Sequence, residues 1–187
     1  MNLQELRLDS AVQQKKGLHF ILASVILWSA VLLVHLSSMP IETKNLFTFV
    51  FTAPLMPLAY LISKIIKVDF THKSNPLTNL GVLFSLNQML YLLIAMWVYP
   101  TVPDKMVMVL AMIFGAHLLP YGWLYLSRSY MVFSVLIPIA VLFVGINYPP
   151  YAVAAVMVAF EIVFSVLLSL EVKRLPAATR KAAPAAG

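Results

Sequence analysis

The sequence of 187 residues contains no cysteine, which excludes disulfide bonds, thiolate metal sites and cysteine nucleophiles. Charged residues are also scarce: they make up 11% of the chain, whereas hydrophobic residues make up 61%. Soluble domains carry about one quarter charged residues. Because a water-soluble fold of this length cannot bury so much apolar side chain, we expect an integral membrane protein with one compact domain.

Catalytic and cofactor-binding motifs are absent as well. The sequence contains no G-x-S-x-G, no H-E-x-x-H, no glycine-rich phosphate loop and no His spacing typical of a metal site. His19 and His35 lie near opposite ends of one apolar stretch, too far apart to form an i, i+4 ligand pair. We therefore predict no cofactor, no metal and no catalytic residue, and an enzyme is the least favoured of the function classes.

Long apolar stretches dominate what is present. Six of them can cross a bilayer as helices, whose backbone hydrogen bonds are satisfied within the segment. The predicted spans are residues 17–38, 45–66, 77–98, 106–126, 130–146 and 150–170. The sequence thus predicts an all-α bundle of six transmembrane helices over residues 17–172. Small residues at Ala111 and Gly115, and at Ala155 and Ala159, should allow close helix packing.

Prolines inside two spans predict bent helices. Pro54 and Pro57 lie within the second span and Pro138 within the fifth, where each removes a backbone donor. Hydroxyl groups upstream of these prolines, such as Thr52, can satisfy carbonyl groups released in this way. Bent helices of this kind also leave cavities between neighbouring helices.

The segments outside the spans are short. Residues 1–16 suit a helix lying on the membrane surface, with a frayed polar terminus as the alternative. Residues 173–187 are small, basic and proline-containing, so we expect disorder there. The first span is longer than the apolar part of a secretory signal, so it should be retained as a helix.

Basic residues predict the orientation. Eleven of the thirteen Lys and Arg residues fall on one predicted side of the membrane, and only Lys44 and Lys105 fall on the other. Since basic loops are retained in the cytoplasm, both termini should be cytoplasmic in a multi-pass protein of the cell membrane. This distribution also accounts for the net charge of +6, so no nucleic-acid partner is predicted.

One acid, Glu161, is predicted inside a span, near the middle of the sixth helix. Ser165 follows one turn later on the same face. A charged side chain at such a depth costs about 2.5 to 3.5 kcal/mol on insertion scales, so a carboxyl there needs a partner or a role. It either binds a proton or cation as part of a function, or stays neutral and hydrogen-bonds across a helix interface.

Two amides, Asn87 and Gln88, lie near the middle of the third span. Gln88 shares a face with Gly81 and Ser85, so this face can approach another helix closely. Interhelical hydrogen bonds from amides contribute only about 1 kcal/mol, yet they select which helices pair. A packing role is therefore favoured for both residues.

His117 lies near the centre of the fourth span, followed by Pro120 and Tyr121. Pro120 cannot donate to the carbonyl of Ala116, which predicts a kink with a free carbonyl oxygen beside the imidazole. Histidine titrates near neutral pH and so suits proton transfer. A histidine that only packs at a helix interface is the alternative.

The midplane depth of these residues predicts a site, because transporter sites commonly lie near the bilayer centre. The leading hypothesis is binding or passage of a small solute or proton, in a transporter or binding subunit. The alternative is an accessory or structural membrane protein whose buried polar residues only fix helix packing. Either function is compatible with a homo-oligomer or a larger membrane complex. The predicted site has Glu161 as ionisable centre and His117 as donor or relay, lined by Asn87, Gln88, Tyr121 and Ser165.

Four stretches carry a resemblance to a known family. They are QQKKGLHFILASVILW, KNLFTFVFTAPLMPLAYLISKIIKVDF, NPLTNLGVLFSLNQMLYLLIAMWVYP and GAHLLPYGWLYLSRSYMVFS. Together they resemble small multi-pass membrane proteins of unknown function found in bacteria, many of them Gram-positive. The resemblance implies a membrane location and no particular activity. In size and helix number alone, the chain is also similar to the substrate-binding subunits of energy-coupling-factor vitamin importers.

Overall fold

The computed structural model describes residues 1–70 and 74–176, and the regular secondary structure within these ranges is helical, without strands. Five of the helices are long and apolar enough to cross a membrane, and α3 with α4 adds a sixth if this bent pair is counted as one span. The helices are α1 (Leu3–Gln13), α2 (Leu18–Leu36), α3 (Ile41–Thr52), α4 (Leu55–Ile65), α5 (Leu77–Thr101), α6 (Met106–Leu124), α7 (Arg128–Asn147) and α8 (Pro150–Lys173).

The second predicted span differs most from its prediction. It begins at Ile41 and breaks at Ala53 and Pro54, where the axes of α3 and α4 differ by 41°. Pro54 has no N–H to continue the ladder of α3, so the predicted bend is confirmed as a break between two helices. In contrast, α7 runs through Pro138 and α6 through Pro120 as unbroken helices.

The first helix, α1, forms where the sequence allowed either a helix or a frayed end. Its N-terminus is a capping box: the Asn2 side chain accepts from the Glu5 backbone N–H, and the Glu5 carboxylate accepts from the Asn2 backbone N–H. At the other terminus α8 continues to Lys173, three residues beyond the predicted span. Of the tail predicted to be disordered, residues 177–187 lie outside the described residues.

The chain turns sharply between α1 and α2. Lys15, Lys16 and Gly17 all have positive φ angles, of 45°, 51° and 71°. At Gly17 a Cβ atom would lie 3.0 Å from the Tyr130 Oη and 3.1 Å from a ring carbon of Tyr125, so glycine suits both the backbone and the space. This turn brings α1 across the end of the bundle.

Contacts of this turn define what we call the basic end of the bundle. The Lys15 Nζ donates to the carbonyl of Ile66, and the Lys16 Nζ donates to the carbonyl of Leu126 and to the carboxylate of Glu171. Five helix ends therefore lie together: the starts of α2 and α7 and the ends of α4, α6 and α8. The two described ends of the chain thus lie at the same end of the bundle.

The core lies between α2, α6, α7 and α8. Helix α6 packs most extensively against α7, and α2 against α8. Stacked and edge-to-face aromatic rings fill the α7–α8 interface: Phe133 and Phe164 stack with ring centres 4.8 Å apart, and Tyr130 meets Phe164 edge-on at 4.9 Å. Helix α5 lies at the periphery, and within it only Ala95 and Val98 are buried.

Glycine allows the close approach of α6 and α7. A Cβ atom at Gly115 would lie 2.7 Å from both the Ile137 Cγ2 and the Pro138 Cδ, much closer than van der Waals contact. The predicted close packing at Ala111 and Gly115 is thereby confirmed, since both residues are buried. The second predicted pair is wrong for this bundle, because Ala155 and Ala159 are exposed on the outer side of α8.

Gly115→Ala should therefore destabilise the bundle. The added methyl group must push α6 away from α7, and overpacking of this kind costs about 1 to 3 kcal/mol. The measurement is thermal unfolding of the purified protein in detergent. The matched control is Gly81→Ala, where the nearest atom to the new Cβ is 3.5 Å away, in ordinary contact. Equal losses for the two variants would contradict the close approach at Gly115.

Candidate functional site

Glu161 lies on α8 at the helix interface with α2. Its carboxyl is fully buried, and its Oε2 is hydrogen-bonded to the Ser24 hydroxyl, 137 residues away in sequence. The Ser24 Oγ lies in addition 2.8 Å from the carbonyl oxygen of Ile21. A serine hydroxyl has one proton, and a carbonyl oxygen can only accept. Both bonds form together when Ser24 donates to Ile21 and a protonated Glu161 donates to Ser24.

Two buried polar atoms next to this bond have no partner. Within the described residues, neither the Glu161 Oε1 nor the Ser165 Oγ makes a hydrogen bond. The two side chains are one turn apart on the same face of α8, as the sequence predicted. Buried polar groups nearly always have a partner, so these atoms are the ones on α8 best suited to hold a water molecule, a proton or a small polar solute.

Tyr121 forms a second polar cluster, between α5 and α6. Its hydroxyl donates to the Gly81 carbonyl at 2.9 Å and lies 2.7 Å from the Ser85 hydroxyl. His117 contacts Tyr121 edge-on, with ring centres 5.8 Å apart. The His117 Nδ1 is hydrogen-bonded to the carbonyl of Phe114 in its own helix, so this nitrogen carries the proton. The partner is thus not the carbonyl of Ala116 that the proline was expected to release.

The predicted site residues with hydrogen bonds thus fall into two separately bonded groups. Glu161 and Ser165 face α2, whereas His117 and Tyr121 belong to the α5–α6 cluster, and no hydrogen bond among the described residues joins the two groups. Gln88 is half-buried and Asn87 is exposed, and neither amide is hydrogen-bonded to another described residue. The assignment of these six residues to one solute site stays a prediction.

Two cavities of the bundle lie away from these residues. One, of about 310 Å³, opens at the basic end beside Arg7, Trp123 and Arg128. Another, of about 300 Å³, lies between α3 and α5 beside Phe49 and Tyr99. None of the predicted site residues lines either cavity.

A buried ion pair at the basic end was missed by the sequence analysis. The Lys16 Nζ lies 2.7 Å from the Glu171 Oε2, and their side chains are only 7% and 21% exposed. Ser127 and Ser129 complete the arrangement, because both hydroxyls and the Ser129 backbone N–H donate to the same carboxylate at 2.6 to 2.8 Å. The sequence carried one indication of this cluster: all four residues flank predicted spans on the same predicted side of the membrane.

The opposite end of the bundle is held by neutral hydrogen bonds and by two lysines, of which Lys44 donates to the carbonyl of His35 at 3.3 Å. The His35 Nε2 lies 3.0 Å from the Thr48 hydroxyl, and the Asn45 amide donates to the Pro103 carbonyl at 2.9 Å. The Lys105 Nζ donates to the Gly145 carbonyl at 2.6 Å. In the part of the chain that the structure describes, no three His, Asp or Glu side chains are grouped so that they could hold a metal ion.

Comparison with known proteins identifies the family and nothing narrower. A family described as one of unknown function (DUF7010) matches residues 3–171, which is nearly the whole chain. No curated protein and no solved structure matches.

The ion pair should be important for stability. Lys16→Met removes the cation and leaves the Glu171 carboxylate poorly compensated, so we expect a loss of about 3 kcal/mol in the free energy of unfolding. Glu171→Gln alone should also destabilise the protein, because it leaves the Lys16 ammonium without its carboxylate. The double variant should lose clearly less than the sum of the two single losses. Chemical denaturation in detergent measures all three, and strictly additive losses would contradict a direct pair.

Proposed function

Because this chain belongs to DUF7010, a family of unknown function, we propose its role from its buried contacts: an accessory or structural membrane protein whose buried polar residues fix the packing of its helices. The observation that carries the proposal is the buried hydrogen bond between Glu161 and Ser24. The carboxyl is 0% exposed and has a hydrogen-bond partner on a different helix. A neutral acid in such a contact avoids most of the cost of placing a charge in hydrocarbon.

Other buried polar contacts support the same role. Tyr121 joins α6 to the backbone of α5, and Lys16 joins the start of the bundle to the end of α8. Each contact links different parts of the bundle and satisfies groups that would be costly to leave unpaired in a bilayer. Polar groups distributed in this way determine which helices are neighbours, and a solute site would instead require them to converge.

We further infer that the host membrane is the cell membrane and that both termini are cytoplasmic. The support is the excess of Lys and Arg on one predicted side. Arg7, Lys15 and Lys16 contact the basic end, which agrees with placing this end in the cytoplasm.

A second candidate function is binding or passage of a proton or small solute at Glu161. The unpartnered Glu161 Oε1 and Ser165 Oγ favour it, because they offer two buried polar atoms one turn apart. On this proposal the Glu161 carboxyl exchanges its proton with the solute or with water. The other predicted residues join the binding site only after a rearrangement of the helices; they are His117, Asn87, Gln88 and Tyr121.

Glu161→Gln separates the two functions. An amide keeps the shape of a neutral acid and can still donate to Ser24, so the free energy of unfolding should change by less than about 1 kcal/mol. Glu161→Ala removes the bond and leaves a cavity, which should cost about 2 to 4 kcal/mol. Thermal unfolding in detergent gives both values. A loss with Gln as large as that with Ala would contradict the neutral hydrogen bond.

Measurements of proton flux across a membrane complete the test. The protein is reconstituted into liposomes that contain a pH-sensitive dye, and a pH gradient is imposed across them. The accessory role predicts that native protein gives no more flux than protein-free liposomes. A flux that the native protein supports and that folded Glu161→Gln abolishes would overturn the accessory role in favour of the second candidate.

A further inference from the structure

Helix α5 is the least covered of the long apolar helices. In its most apolar window of 18 residues only 11% are buried, compared with 39% to 56% in the four other long spans. It contacts mainly α6 along the side that carries Gly81 and Ser85. Helices α1 and α3 make smaller contacts with α5, and among the described residues most of the surface turned away from α6 is exposed.

A regular pattern of side chains runs along that surface. Five exposed residues follow one another at alternating intervals of four and three, which is the spacing of the a and d positions of a coiled coil. The four apolar members are between 50% and 65% exposed. We call this set the α5 seam; it consists of Leu83, Asn87, Leu90, Ile94 and Trp97.

Asn87 is the member that lipid cannot satisfy. Its amide is exposed in the central part of a helix suited to cross a bilayer, and within the described residues it has no hydrogen-bond partner. Lipid tails offer neither donors nor acceptors, so an amide facing them loses the bonds it makes in water. A single asparagine at an a position, with leucine at d, is typical of a helix that pairs in one register with a partner.

We propose that the α5 seam binds the α5 seam of a second copy of this chain in the membrane, with the two Asn87 amides hydrogen-bonded to each other. An amide carries both a donor and an acceptor, so it is complementary to its own copy. Two copies inserted in the same orientation are related by a two-fold axis along the membrane normal. In that arrangement the two α5 helices are parallel, and each seam residue meets its counterpart at the same depth.

The geometry of α5 leaves room for this partner without disturbing the bundle. Gln88, one residue later, is rotated by about 100° toward α6, so the two neighbouring amides serve different interfaces. Helices crossing at about 20° with knobs-into-holes packing are common among membrane bundles. The inference does not depend on the role of Glu161, which lies on α8 in contact with α2.

Disulfide cross-linking tests the seam directly, because the native chain has no cysteine. Leu83→Cys and Leu90→Cys place single thiols on the seam. The matched controls are Val82→Cys and Met89→Cys, which are each 54% exposed but lie beside the seam. After oxidation in intact membranes, the two seam variants should form a covalent dimer at least about fivefold more than the controls, since adjacent helix positions point about 100° apart. Equal cross-linking of seam and control variants, or none in any variant, would overturn the proposal.

Removal of the amide tests the pairing of Asn87. In the Leu90→Cys background, Asn87→Ala should reduce cross-linking at low protein density in lipid by about fivefold, as expected for the loss of interhelical amide bonds. Gln88→Ala in the same background should leave it unchanged. Thermal unfolding of each variant, with its cysteine reduced, confirms that the fold is intact. Undiminished cross-linking without Asn87 would overturn the amide pair. Cross-linking only between Leu83→Cys and Ile94→Cys chains would overturn the parallel arrangement.

Discussion

A carboxyl group in the interior of an apolar bundle needs a hydrogen-bond partner, and the arrangement of α2 and α8 depends on how Glu161 obtains one. Ser24 supplies it from the second helix of the chain, 137 residues before the acid. The hydroxyl already has an acceptor in the Ile21 carbonyl, so the acid takes the role of donor. An ionised carboxylate could not do this, which is why the contact favours the neutral acid and couples its protonation to helix packing.

The two ends of the bundle are held by different chemistry. At the basic end a lysine, a carboxylate and two serine hydroxyls form a charged network around Glu171. At the opposite end the contacts are mostly neutral bonds, such as that between His35 and Thr48. Charges at a membrane boundary remain near water and cost less than charges at the midplane. This difference explains why the ion pair occurs at a helix end while the central acid pairs with a hydroxyl.

Helix α5 shows how an apolar bundle can have more than one kind of interface. On one side Gly81 and Ser85 meet the hydroxyl of Tyr121, and on the other an exposed asparagine lies in a row of apolar side chains. Without a hydrophobic driving force between helices in lipid, polar pairing and close packing decide association. Asn87, on the exposed side of α5, is therefore the polar group on which the proposed pairing with a second copy depends.

The sequence alone determined the helical, apolar class of the protein, the approximate ends of its long helices and the place of Glu161 inside one of them, because hydropathy and proline positions act locally along the chain. It also indicated the bend at Pro54 and the close packing at Gly115. Tertiary structure alone decided that Ser24 is the partner of Glu161, that His117 bonds to its own helix, and that Ala155 and Ala159 face outward. The spacing of residues along the sequence shows where a residue lies in its helix and which helical face it shares. The rotation of each helix toward its neighbours results from the packing of all helices together. Only the folded bundle therefore contains this rotation.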